Sequence, residues 1–405
     1  MVKEFNLKLL SDLGVEIVSS EEFEEALHEA EKSQKPLNIK LGMDPTSPDL
    51  HLGHYVLLRI VREFLEAGHK INIIIGDFTA KIGDPSGRNV ARPVLSDREI
   101  KENVKTYIDQ LSKVFDVKKI KVFYNSEWLS KMTFEDVLRI SGLFTLNRIL
   151  DREDFKNRIQ NQLEVRLHEI FYPLMQAYDS TVLDADVELG GVDQRLNILA
   201  GRQLQQAMGK KPQVAILAPL LVGLDGQKKM SKSLDNYVGI SEKPQDIYGK
   251  IMSLKDDMMP DYFRLVLGYP QDQIDLISEQ IKGGENPMNF KKRLAYEIVA
   301  FLYSKEEAEK AGGDFTKVFS QKEIPEEIQE VGLGEKSAPL FEIIRTGIPA
   351  KEMTSSEIKR LIMHKSVKVD GKVIGDPYYK VKLSPKGVII KIGKRKWLKA
   401  IGKGE

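Results

Sequence analysis

Two short segments carry side chains suited to phosphate chemistry. In HLGH, His51 and His54 flank Gly53 where an apolar run gives way to a helical pattern. In DGQKKMSKSLDN (225–236), Lys228, Lys229 and Lys232 crowd a stretch that holds Gly226, Ser231 and Ser233 and lacks the period of a buried helix or strand. Imidazole N–H groups can donate to phosphate oxygens, and a helix start adds unpaired backbone N–H groups and a partial positive charge. Gly53 lets a flat ring or a phosphate approach the backbone. Lysines on a loop can close on negative charge as it builds at a reacting phosphorus, and stabilisation confined to the transition state raises the rate. Taken singly, two histidines at a helix start are more often structural, and a lysine cluster is more often a solvated turn.

The elements that must position these groups alternate. PLNIKLGMD (36–44) reads as a strand ending in turn residues. The next segment places Val56, Leu57, Ile60, Val61, Phe64 and Leu65 at helical spacing, with Gly68 as a stop. KINIIIGD (70–77) is a continuous apolar run, as expected of a strand buried on both faces. A helix in DREIKENVKTYIDQLSKVF, a strand in KKIKVFYN, a helix over 164–178, a strand in ADVELGG, a helix in DQRLNILAGRQLQQAM and a strand in QVAILAPLLV follow. This alternation predicts a parallel α/β sheet with helices on both faces. HLGH then falls beyond the carboxyl end of the first strand, where open parallel sheets bind ligands, and the lysine loop follows the last strand. From about 241 the pattern turns helical to 330, VGLGEKSAP (331–339) reads as a linker, and a small α+β unit occupies 340–405, with a hairpin in VKVDGKVI turning at Asp-Gly.

With 405 residues the chain is expected to hold two or three domains. It has no cysteine, which excludes disulfides, thiolate metal sites and a cysteine nucleophile and suits a reducing compartment. The start lacks the apolar core of a signal peptide, and no apolar run approaches the ~20 residues of a membrane helix. A cytoplasmic protein with no membrane association is expected. The net charge of +1 conceals an asymmetry: residues 338–405 hold 16 Lys or Arg against 6 Asp or Glu. A basic module on an acidic body is a common signature of nucleic-acid binding.

The pairing of His-Leu-Gly-His after the first strand with Lys-Met-Ser-Lys-Ser after the last resembles the signature of class I aminoacyl-tRNA synthetases. Further matches narrow the resemblance to the tyrosyl-tRNA synthetases: GDFTAKIGDPSGR (76–88), YPLMQAYD (172–179), LGGVDQRLN (189–197), and an S4-type RNA-binding module in SSEIKRLIMHKSVKVDGKVIGDP. The resemblance implies a Rossmann-like parallel-sheet catalytic domain (1–240) with a helical insertion that joins a homodimer (about 95–180). An α-helical domain that binds the anticodon arm (241–330), the linker and an S4-like domain would follow. It implies ATP as co-substrate, Mg²⁺ carried on ATP with no dedicated protein site, and L-tyrosine and tRNA(Tyr) as the other partners.

Residue by residue, the resemblance gives His51, Gly53, His54, Gly191, Asp193, Met230, Lys232 and Ser233 to ATP. Thr46 would lie beside the phosphates, Arg92 would meet pyrophosphate, and Lys229 and Lys232 would close on the transition state. Asp44, Thr79, Asp84, Tyr172, Gln176 and Gln194 would hold the amino acid, and Asp179 would accept from its phenol. Tyr172, Gln176 and Asp179 lie four and three apart, so one helical face can present all three. Lys359, Arg360, Lys365, Lys368 and Lys372 would face RNA phosphate, contacts that supply affinity and salt sensitivity rather than sequence choice. One position departs from much of the family: Lys40 stands where a tyrosine often helps bind the phenol. Lys40 would hydrogen-bond the phenol, pair with Asp179 or point away. A site built to bond a hydroxyl rejects the analogue lacking it because buried polar groups are left unpaired, a rule for which tyrosine enzymes are themselves the standard example.

Three other readings compete. A tryptophanyl enzyme shares the fold and loop, but the Gln176–Asp179 spacing and the S4-like tail argue against it. A small-molecule nucleotidyltransferase needs neither the second motif nor the basic tail. A non-catalytic RNA-binding relative is expected to have lost ATP motifs that are intact here.

Overall fold

The structure, a computed structural model, describes the chain except residues 47, 86–95, 320–327, 350–352, 394–395 and 403–405. Arg92 therefore lies outside the described residues. Two compact units, Met1–Ala308 and Glu309–Glu405, divide the chain.

The first unit is built on a six-stranded sheet of β1 (Glu16–Val18), β2 (Asn38–Met43), β3 (Lys70–Ile75), β4 (Lys121–Tyr124), β5 (Val187–Gly191) and β6 (Val214–Ala218), in the order β1-β6-β5-β2-β3-β4. β2 to β6 are parallel; β1 adds antiparallel to β6 at the edge. The sequence patterning located the five parallel strands but not β1, which is three residues long and too short to carry a period. Ile39, Leu41, Ile71, Ile73, Ile74, Val187, Leu189 and all five residues of β6 are buried, as two-sided packing requires.

The chain builds β2, β3 and β4 outward in one direction and β5 and β6 in the other. The order thus reverses between β2 and β5, the position at which such sheets open a ligand crevice at their carboxyl ends. The helix Leu167–Val182 reaches this crevice. It runs beyond the expected end at 178, so Asp179 sits within the helix.

The helical segment after 241 belongs, as far as Ala308, to the first unit rather than standing alone. Tyr262 Oη donates to the Val222 carbonyl at 2.8 Å, and the rings of Tyr55 and Phe301 lie 4.9 Å apart. These contacts tie it to the α/β part, which composition could not disclose.

In the second unit, β7 (Gln329–Gly332), β9 (Val367–Val369), β10 (Lys372–Ile374), β12 (Val388–Ile392) and β13 (Lys396–Ile401) form a sheet in the order β10-β9-β12-β13-β7; β8 (Ser337–Pro339) pairs with β11 (Lys380–Lys382). The stretch 331–339, expected to be a linker, therefore supplies strand residues to this unit. Val331 and Ala338 enter its core, burial that a glycine-rich composition masks. The hairpin turns at Asp370 and Gly371, both at positive φ, as Asp-Gly predicts. Thr354 caps the helix Ser355–Met363 by accepting from Glu357 N.

Candidate active site

A cavity of about 1280 Å³ opens at the carboxyl ends of the parallel strands. Its lining includes His51, Gly53 and His54 at one side, Lys229, Met230, Lys232 and Ser233 at another, and Asp179 in its depth. The two motifs, far apart in sequence, converge.

His51 is the N-cap of the helix Leu52–Glu66, and its backbone N–H donates to His54 Nδ1 at 3.2 Å. The two rings lie 3.9 Å apart. Burial lowers the pKa of His51 to about 2, helped by the neighbouring His54 and Lys229. Burial and Lys229 lower His54 to about 4. Both imidazoles are therefore neutral at pH 7, so each offers one N–H donor rather than a charge. A Cβ on Gly53 would stand 3.0 Å from the His51 ring, so the glycine gives that imidazole its room, and Met230 Cβ lies at ordinary contact distance.

The lysine loop is ordered from within. Asp225 Oδ1 accepts from Gln227 N and Lys228 N, and Asn236 donates to Asp225 Oδ2 and accepts from Ser231 N at 2.8 Å. Met230 is buried and its N–H donates to the Leu221 carbonyl. Lys229 Nζ reaches Asp193 Oδ2 at 2.6 Å, and Lys232 pairs with Asp49. Ser233 Oγ lies 3.1 Å from Ser231 Oγ.

On the deep side, a chain of hydrogen bonds links Tyr172 to Asp179. Tyr172 Oη donates to Asp44 Oδ2 at 2.9 Å; Thr79 Oγ1 donates to Asp44 Oδ1 at 2.8 Å; Asn125 Nδ2 donates to Thr79 Oγ1 at 3.1 Å and to Asp179 Oδ2 at 3.2 Å; Trp128 Nε1 donates to Asp179 Oδ1 at 2.7 Å. Burial raises the Asp179 carboxyl to about 7, against the pull of Lys40, Trp128 and Asn125. Asp84 Oδ2 accepts from Gln194 Nε2 at 2.6 Å, and Gln194 Oε1 accepts from Asn197. Thr46 and Gly191 also line the cavity. A Cβ on Gly76 would collide with Asp44 Oδ1 and Thr79 Oγ1, so only glycine permits that contact.

Lys40 corrects an expectation. Its buried ammonium donates to the Gln176 carbonyl at 2.9 Å, Ser180 Oγ at 2.7 Å and Glu188 Oε1 at 2.9 Å. With three donors engaged, none remains for a phenol, and its ion-pair partner is Glu188 rather than Asp179. Reading the sequence missed Glu188, although a lone acid in the apolar run of β5 was a usable signal. It also missed Asn125, Trp128 and Asp49, whose approach depends on strand order, and Asn236, which acts within the lysine loop.

In the second unit, Arg360, Lys365, Lys368 and Lys372 are exposed, while Lys359 is half-buried with its ammonium 5.1 Å from the Phe341 ring centroid. The Trp397 ring is covered by Lys391 at 4.7 Å.

Residues 32–320 match the family described as tRNA synthetases class I (W and Y), and residues 353–385 match the S4 domain. The chain belongs to the class I tRNA synthetases of the tryptophan and tyrosine group. It is 44% identical to the tyrosine–tRNA ligase of Moorella thermoacetica, over 96% of this chain and 94% of that protein. It is also 44% identical to that of Carboxydothermus hydrogenoformans, over 98% and 97%. In fold it resembles the tyrosyl-tRNA synthetase of Archaeoglobus fulgidus solved with L-tyrosine (24% identity, TM-score 0.60, 76% of this chain and 99% of that one). The tryptophanyl-tRNA synthetase of Plasmodium falciparum shares the fold at 18% identity and TM-score 0.55, covering 76% and 93%, so fold alone does not select the amino acid.

Proposed function

We infer that this chain is a tyrosine–tRNA ligase that uses ATP. The observation that carries the reading is a single pocket with Asp179 in its depth, held by Trp128 and Asn125, and the His51–His54 and Lys229–Lys232 pairs at its mouth. The length and polarity of that arrangement suit a phenol at one end and a triphosphate at the other.

In this reading a tyrosine carboxylate oxygen attacks the α-phosphorus of ATP, the bond to the bridging oxygen breaks, and pyrophosphate leaves. The carboxylate is already ionised, so no protein base is needed. His51 and His54 donate to phosphate oxygens as neutral imidazoles. Lys229 and Lys232 exchange their carboxylate partners for the charge that develops on the leaving group, as transition-state stabilisation requires. Arg92 meets pyrophosphate and Thr46 the phosphates; Gly53, Gly191, Asp193, Met230 and Ser233 hold the nucleotide. Tyr172, Gln176, Asp84 and Gln194 surround the amino-acid ammonium, with Asp44 and Thr79 beside them. Mg²⁺ arrives on the phosphate oxygens of ATP. The terminal ribose hydroxyl of tRNA(Tyr) then attacks the adenylate carbonyl and AMP leaves.

The insertion supports a homodimer. Phe134, Leu138, Leu143, Leu146 and Leu167 are exposed there, a density of large apolar side chains that suits a partner surface. Among the described residues, no helix is long and apolar enough to cross a membrane; a cytoplasmic site of action fits the cysteine-free composition. ATP–pyrophosphate exchange with each of the twenty amino acids tests the reading: tyrosine should drive exchange, and exchange driven by tryptophan or by none removes it.

A further inference from the structure

Lys40 and Glu188 face each other across the switch point. They are direct register partners on parallel β2 and β5, so their side chains leave the sheet on the same face, towards the helix Leu167–Val182. Both side chains are 1% exposed. Removing two charges from water is costly, and an apolar pair would serve stability as well; the pair calls for another role.

Its contacts supply one. Lys40 holds the Gln176 main-chain carbonyl, while Glu188 Oε1 accepts from Gln176 Nε2 at 3.0 Å. Glu188 Oε2 accepts from Ser180 Oγ at 2.8 Å and from Gln213 Nε2. The Glu188 oxygen that takes the Lys40 ammonium is an acceptor, so Gln176 turns its NH₂ to Glu188. Its Oε1 is then the end left for the cavity, which Gln176 lines. An oxygen there suits an ammonium; an NH₂ would oppose one.

We propose that the buried Lys40–Glu188 pair is a positioning device for amino-acid recognition, locking the Gln176 amide with its oxygen towards the substrate ammonium. The proposal rests on the reading of this pocket as a tyrosine site. Lys40 pairs with Glu188 in a buried location, and Glu188 sets the amide orientation; both act through Gln176.

The test compares two ligands by calorimetry without ATP: tyrosine, and 3-(4-hydroxyphenyl)propionate, which has the phenol and carboxylate but no ammonium. Glu188→Gln can present either an oxygen or an NH₂ to Gln176 and so releases the constraint. Lys40→Met/Glu188→Gln does the same without leaving a lone buried ion, and it decides the matter if the single variant unfolds. The double variant should bind tyrosine on the order of tenfold more weakly, the scale of a charge-assisted hydrogen bond, and bind the deaminated ligand within about twofold of the parent. In exchange assays KM for tyrosine should rise while KM for ATP stays. Unchanged tyrosine affinity, or equal losses for both ligands, overturns the proposal. A parent protein that gives no tyrosine-dependent exchange overturns the functional reading instead.

Discussion

Asp179 is the residue on which selectivity is expected to turn. Buried at the base of the pocket with Trp128 and Asn125 donating to it, it presents an acceptor that a phenol completes and a bare phenyl ring does not. Asp179→Ala should therefore lower the tyrosine-to-phenylalanine ratio of kcat/KM by about tenfold or more. An unchanged ratio means the hydroxyl is read elsewhere. Because burial raises this carboxyl to about 7, it takes up a proton as pH falls through neutrality. Tyrosine affinity measured without ATP should weaken below that point, and the limb should vanish in Asp179→Asn. The stability consequence has the opposite sense. The folded state holds the proton more tightly than the unfolded chain, so stability falls as pH rises from about 4 through about 7. Asp179→Asn should flatten that slope in denaturant titrations across this window. The sequence disclosed Asp179 through its spacing from Tyr172 and Gln176. It did not disclose Trp128 or Asn125, which meet Asp179 only because β4 lies beside β3.

At the scale of elements, the lysine loop and the start of the helix Leu52–Glu66 form one working part. Asn236 ties the loop together through Asp225 and the Ser231 backbone, and Gly53 leaves room for the His51 ring. Asn236→Ala should loosen the loop and lower kcat of tyrosine-dependent exchange by about tenfold with little change in calorimetric tyrosine affinity, since the amino-acid pocket lies deeper. A loss of tyrosine affinity equal to the loss of kcat contradicts this division. Gly53→Ala should weaken ATP more than tyrosine, because the added methyl lands on the His51 ring. The loop's place after a final strand was legible in its composition. Its partners Asp49 and Asp193 were not, since ion pairs between distant segments leave no local pattern.

At the scale of the molecule, the chain divides into two compact units, and the second carries the S4 match. Removing the second unit, Glu309–Glu405, should leave tyrosine-dependent pyrophosphate exchange near the parent level and sharply reduce charging of tRNA(Tyr); equal loss of both contradicts separate roles. Lys365→Ala should reduce the salt dependence of tRNA binding by roughly one counterion, as for a single phosphate contact. Phe134→Asp with Leu138→Asp should shift sedimentation from dimer to monomer if the exposed apolar face of the insertion is the joint. A variant that still sediments as the parent places the joint elsewhere.

The sequence by itself determined the motifs and the frame: the HLGH and KMSKS segments, the alternation that makes a parallel sheet, the helical face of Tyr172, Gln176 and Asp179, and the basic S4-type module. These are local, written in the spacing of neighbouring residues and in runs long enough to carry a period. Only the tertiary structure decided what Lys40 does, that parts of 331–339 are strand rather than linker, and that the helical segment as far as Ala308 packs as part of the first unit. Each of those depends on contacts between segments far apart in the chain. Lys40 and Glu188 stand 148 residues apart and meet because β2 and β5 are neighbours where the strand order reverses. Strand adjacency follows from the packing of all the elements together, which no single stretch of sequence encodes.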